Sequence, residues 1–190
     1  MSMFSIYKKL ETELDLDGKI YPIDMSFDNV LKFFDIMEDR ISFDEDKVVA
    51  GLYQLLGVHL DLELEELHEV LNYIMDYLIN EGRKEEVVMD LEGNPMPVKK
   101  QAPTQDIRHD AKFIFTSFMQ AYGINLIKEH GKLDWREFKA LLLGLPGDTI
   151  MARVFDIRRR PYPKGKYAAE DRRLLKEAKR MCALPGVEVE

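Results

Sequence analysis

The sequence is poor in the residues that carry covalent or metal chemistry. Its one cysteine, Cys182, excludes an internal disulfide and suits a reducing compartment. The four histidines, His59, His68, His109 and His130, are scattered, without metal-ligand spacing to one another or to Cys182. His68 lies beside Glu65 and Glu69 in a helical stretch, which reads as a solvated face rather than an acid–base pair. There is no Gly-rich phosphate loop, no nucleophile elbow and no HExxH motif. We therefore expect a non-catalytic protein with no cofactor and no metal. No apolar run approaches the ~20 residues that a membrane span needs, so no membrane partner is expected. The opening MSMFSIYKKLETELD lacks an apolar h-region and a small-residue cleavage site, which points to a cytoplasmic protein.

What is present fits a folded chain. Hydrophobic residues make up 46% and charged residues 33% of the 190 positions, the proportions of a globular protein rather than a disordered one. Such a length fits one domain or two small ones. Charge is divided unevenly: residues 1–95 hold 8 Lys/Arg against 23 Asp/Glu, and residues 96–190 hold 19 against 12. This asymmetry is what two regions with different neighbours, or head-to-tail contacts between copies, would produce. Two solvated faces of opposite bias would produce it as well.

Hydrophobic periodicity predicts a mainly α fold, a helical bundle with a small N-terminal β-hairpin. The hairpin is read from alternating residues around Asp17-Gly18, a step suited to a turn with positive φ at both positions, with Pro22 confining the second strand to an edge or its own end. A calcium loop there is excluded because Ile20, Pro22 and Ile23 cannot supply its later ligands. Ser26 is a candidate N-cap for a helix with Phe27, Val30, Leu31, Phe34 and Met37 on one face. Another helix is predicted from Asp44 to a stop at Gly57. A third, over 62–81, spaces Leu64, Leu67, Leu71, Ile74 and Leu78 as an a/d seam, too short for a coiled coil and expected to pack internally.

The stretch EGNPMPVKKQAPT has three prolines, and charge balance changes sign across it. It divides the chain into an acidic N-terminal subdomain (1–92), a Pro-rich linker (93–104), a basic C-terminal helical subdomain (105–184) and a tail (185–190). After the linker, Asp106 or Asp110 is expected to open a helix bearing Ile114, Phe115, Phe118, Met119 and Tyr122. Asp134 and Glu137 match a capping box, with Leu133 and Phe138 in register for a hydrophobic staple. Trp135, Phe138, Leu141, Leu142 and Leu145 continue that helix as an apolar stripe. Asp148 is the expected cap of the next helix, with Ile150, Met151, Val154 and Ile157 inward. A last helix over 168–183 is expected to bury Leu174, Leu175, Ala178 and Met181 or Cys182.

The segments FTSFMQAYGINL, LDWREFKALLLGLPGDT and FDIR resemble the gp-fifteen family of tailed-bacteriophage proteins. The residues concerned are Phe118, Tyr122, Gly123, Ile124, Asn125 and Leu126; Leu133, Trp135, Phe138, Leu141, Gly144, Leu145, Asp148 and Thr149; and Ile157 and Arg158. The resemblance is looser over DGKIYPIDMSFDNVLKF, and Asp134 stands where the family pattern has a His. It implies a tail-morphogenesis protein of the tail-assembly-chaperone type in the cytoplasm of the bacterial host. The implied partners are the tape-measure protein and/or tail tube subunits.

Two surfaces qualify for such partners. One is any exposed part of the Trp135, Phe138 and Leu142 stripe, or of the Leu64–Leu78 seam, as a groove for amphipathic helices; the alternative for Trp135 and Phe138 is plain core packing. The other is the basic C-terminal set, of which Arg158, Arg159, Arg160, Arg172 and Arg173 are the leading candidates. That set, with Tyr162 and Tyr167 interleaved, also supports an alternative, a nucleic-acid-binding phage accessory protein, against which the net charge of −8 stands. A third reading makes the acidic half a DNA mimic. The two opposed charge blocks lead us to expect self-association that salt weakens.

Overall fold

A computed structural model describes residues 5–81, 104–165 and 168–187. The architecture is mainly α, with a two-stranded antiparallel sheet near the N-terminus and seven α-helices among the described residues. The chain forms two compact units. The first is Met1–Val87 with Ile127–Ala140, and the second is Val88–Leu126 with Leu141–Glu190. Segment 127–140, which linear order puts after the linker, thus belongs with the acidic N-terminal part. Of the linker 93–104, all but Thr104 lies outside the described residues, as does tail residue range 188–190.

In the first unit, β1 (Glu13–Leu16) pairs with β2 (Lys19–Pro22) in the register Glu13 to Pro22. Asp17 (φ 52°) and Gly18 (φ 83°) both take the left-handed turn conformation that the Asp-Gly step favours. The Gly18 N–H donates to Asp15 Oδ1 at 2.8 Å, which locks the turn. Pro22 ends its strand, where a missing N–H costs nothing.

Helix α1 (Phe27–Glu38) packs on α2 (Asp44–Leu56), which in turn meets α3 (Leu64–Tyr73). Gly51 lets α1 and α2 approach closely: a Cβ there would sit 2.9 Å from the Phe33 ring. Phe33 is fully buried and Phe34 only half so, one position away from the expected face, because the α2 contact lies on the Phe33 side. Ser26 starts α1 by position but its hydroxyl makes no cap bond. Helix α2 ends as expected at Gly57, which adopts φ 68°.

Helix α3 starts with a reciprocal capping box between Glu63 and Glu66, a signal the sequence reading passed over. It then widens into a π-helix (Ile74–Ile79), with Asn80 N–H bonding the Met75 carbonyl at 2.8 Å. Within the wider turn the adjacent Leu78 and Ile79 both lie in the core at 1% exposure. The Leu67–Leu78 part of the seam is buried inside the unit, and Leu64 is half-buried.

In the second unit, α4 (Ala111–Tyr122) packs on α6 (Ile150–Arg159), and α6 on α7 (Ala169–Met181). Asp106 and Asp110 divide the start of α4. Asp106 Oδ1 accepts from the Arg108 and His109 N–H groups at 2.9 and 3.0 Å, and Asp110 stands at the N-cap position. Gly123 (φ 68°) closes the helix. A 3₁₀ turn (Leu126–Glu129) and α5 (Trp135–Leu143) follow in sequence, most of both falling in the first unit.

Three details differ from the sequence-based expectation. Asp134 caps α5 by accepting from the Arg136 N–H at 2.8 Å, while Glu137 is exposed. The cap of α6 is Thr149, not Asp148: its hydroxyl accepts from Ala152 N–H at 3.4 Å and donates to Pro146 O at 2.7 Å. Ile150, expected inward, is 40% exposed, while Met151 is fully buried as expected. In α7 only Leu175 is buried, with Leu174 and Met181 exposed, because this helix packs along a narrow stripe on α6.

Candidate interaction surfaces

The tryptophan stripe is core. Trp135 and Phe138 are 5% and 1% exposed, and both lie in an aromatic nest of the first unit. Phe138 stacks on Phe27 with centroids 5.0 Å apart and on Trp135 at 5.7 Å, while Phe34 meets Trp135 edge-on at 5.6 Å. The backbone holds the nest shut, since Trp135 N–H donates to Met25 O at 2.7 Å and Phe27 N–H to Leu133 O at 2.9 Å. Leu142, in the second unit, is 7% exposed. None of the three apolar candidates offers a face to a partner in this state.

Polar side chains brace the same nest. Arg136 chelates Asp134 through Nε (2.9 Å) and Nη2 (2.7 Å) and also donates to Glu11 O at 2.8 Å. Lys139 donates to Ile79 O at 2.6 Å, pairs with Glu81 at 2.7 Å and lies over the Trp135 ring. Asp28 accepts from Gly131 N–H at 2.8 Å and from Lys32. Partial burial pushes its carboxyl pKa up, but the Gly131 bond, the Lys32 ammonium and the His130 charge outweigh that, and the net direction is down.

The basic candidates divide into structural and available ones. Arg158 is structural: its guanidinium forms a two-pronged pair with the fully buried Asp110, at 2.6 and 2.7 Å. It also donates to Cys182 O at 2.6 Å and Thr104 O at 3.2 Å, so one side chain ties α6 to the start of α4 and the end of α7. Lys179 donates to the Arg158 carbonyl at 3.0 Å and lies over the Tyr162 ring. Arg160 is exposed but paired with Asp156, and Arg172 donates to Gly165 O at 2.9 Å. Arg159 and Arg173 are exposed. Tyr167, expected to interleave with the basic set, lies outside the described residues.

Sequence reasoning missed Ser117. Fully buried in α4, it accepts the Met151 N–H at 3.0 Å and so satisfies the N-terminus of α6. It also missed an open groove of about 590 Å³ along α6 and α7. Ile157, Pro163, Leu174, Leu175 and Ala178 give it an apolar floor, and Arg153, Arg160, Asp156 and Asp171 line it with both charges. The i, i+4 placement of Leu174 and Ala178 is its visible signal, although periodicity alone places both in the core.

The histidines do other work. His68 Nδ1 bonds Leu64 O at 2.8 Å, His59 stacks on Tyr53 and His130 meets Phe27 edge-on. Among the described residues no group of three or more His, Cys, Asp and Glu is arranged to hold a metal ion. No helix among them is long and apolar enough to cross a membrane.

The residues of the phage-like signature are thus structural ones. Phe118 is fully buried, Tyr122 donates to Leu141 O at 2.9 Å, Gly123 takes the left-handed turn, Thr149 caps and Arg158 pairs. A helical protein whose recognisable pattern is its own packing code is one to be classed by descent. The chain belongs to the family described as Bacteriophage Gp15 protein, whose model matches residues 6–184. That membership points to a phage structural or morphogenesis protein. No curated protein and no solved structure matches the chain.

Proposed function

We propose that this protein is a non-catalytic tail-assembly factor of the chaperone type, which binds the tape-measure chain and/or tail tube subunits in the host cytoplasm before they assemble. The observation that carries this reading is the α6–α7 groove. Its apolar floor and doubly charged lining suit the apolar face and flanking charges of an amphipathic helix. A tape measure is a long helix-rich chain that needs such cover while unassembled. Family membership supplies the phage context.

Co-expression with the tape-measure chain of the same phage tests the reading. The expected result is that the tape measure stays soluble and co-purifies, and that Leu174→Asp, at a half-exposed position of the groove, abolishes this without loss of helicity. A tape measure that is equally insoluble with and without the protein would refute it. The same experiment with the tail tube protein decides which of the two partners is bound.

A further inference from the structure

Two helical faces, one in each unit and both exposed among the described residues, carry complementary chemistry. On α3 and the π-helix, Glu65, Glu69, Tyr73, Asp76 and Tyr77 recur at three- and four-residue spacing, and all are exposed. Tyr73 and Tyr77 are 42% and 49% exposed, with their rings 5.1 Å apart, so they form a small aromatic shelf between carboxylates. On α7, Arg173, Lys176 and Arg180 recur at the same spacing, and the exposed Glu177 on the same side leaves this ridge basic by three charges to one. They lie on the side of the helix away from Leu175, its buried residue, and Arg173 and Arg180 are exposed. The α6–α7 groove engages Asp171, Leu174 and Ala178 on the other side of α7, so this ridge is separate from it.

We propose that the Arg173/Lys176/Arg180 ridge of one copy docks on the Glu65/Glu69/Tyr73/Asp76/Tyr77 face of a second copy. Guanidinium groups would stack on the tyrosine rings while the flanking carboxylates neutralise them, with the long stems covering the ring edges. The lengths agree: 13 residues of α7 make about 20 Å of helix and 16 residues over 64–79 somewhat more than that. A second copy fits better than a nucleic acid because the whole chain carries −8, which opposes a polyanion but leaves a basic ridge free to seek an acidic face. The contact joins two different surfaces of the chain, one from each unit. This inference is independent of the tape-measure reading, which uses the groove.

The test is sedimentation velocity on the full chain over a range of concentrations, at about 50 mM and about 500 mM salt. The wild type is expected to associate at low salt and to dissociate at high salt. Arg173→Glu with Arg180→Glu, and separately Glu69→Lys with Asp76→Lys, should each weaken association at least about tenfold by setting like charges against each other, with circular dichroism unchanged. An equimolar mixture of the two double variants should associate again, because each supplies the face the other has lost. A wild type that is monomeric at low salt, association that survives either double variant, or a mixture that stays monomeric would each overturn the proposal. So would tight binding of short duplex DNA that the arginine variant abolishes while self-association persists.

Discussion

In the unit built from the hairpin and α1 to α3, the centre is a stack of rings, Phe27 on Phe138 on Trp135, closed by backbone bonds from 25–27 to 133–135. In the unit built from α4, α6 and α7, the side chain that connects the elements is charged: Arg158 reaches Asp110, Thr104 O and Cys182 O together. The two solutions are stabilised differently. Rings gain from area removed from water and tolerate any neighbour of similar shape. A buried ion pair gains only if every partner is in place, and otherwise leaves a desolvated charge. The signature draws on both: Trp135 and Phe138 from the first unit, and Phe118, Tyr122 and Arg158 from the second, all of them packing residues.

The largest effects should come from the two centres. Phe138→Ala, which empties the middle of the stack, should cost about 3–5 kcal/mol in urea unfolding followed by Trp135 fluorescence. Arg158→Ala should cost a similar ~3–5 kcal/mol by stranding Asp110, followed by circular dichroism. The contrast sharpens with double variants. Arg158→Met combined with Asp110→Asn should recover much of that loss, whereas no second substitution around Phe138 should do so. Equal rescue in both units would erase the distinction.

Smaller effects follow. Ser117→Ala orphans the buried Met151 N–H and should cost roughly 1–3 kcal/mol, read from the urea midpoint. Asp28 gives a pH signature. Its folded pKa lies below its usual value of 3.8, so its contribution is fully present above that value and is lost as pH falls through the folded pKa. Wild-type stability should therefore drop more steeply than that of Asp28→Asn on acidification below pH 3.8. Identical acid profiles would remove Asp28 from the account. The smallest stability change is expected at Arg173→Ala, within about 0.5 kcal/mol, since Arg173 is exposed on α7.

Much of the fold was legible. The Asp-Gly turn, the Gly57 and Gly123 stops and the helical periods follow from local backbone preferences, which operate within a few residues and need no partner. The site was less so. Arg158 is one of three consecutive arginines, and only the FDIR element of the family pattern sets it apart from Arg159 and Arg160. Only the arrival of Asp110, 48 residues earlier in the chain, consumes it.

By itself, then, the sequence determined the helical class, the hairpin, the caps set by single residues and the family. Tertiary structure decided which positions on each helix became surface. It buried Trp135 and Phe138 with Phe27, turned Phe33 rather than Phe34 inward, and widened the end of α3 into a π-helix over Ile74–Ile79. The reason is that amphipathic periodicity names a face over roughly 100° of helix. The part of that arc excluded from water depends on the neighbour packed against it.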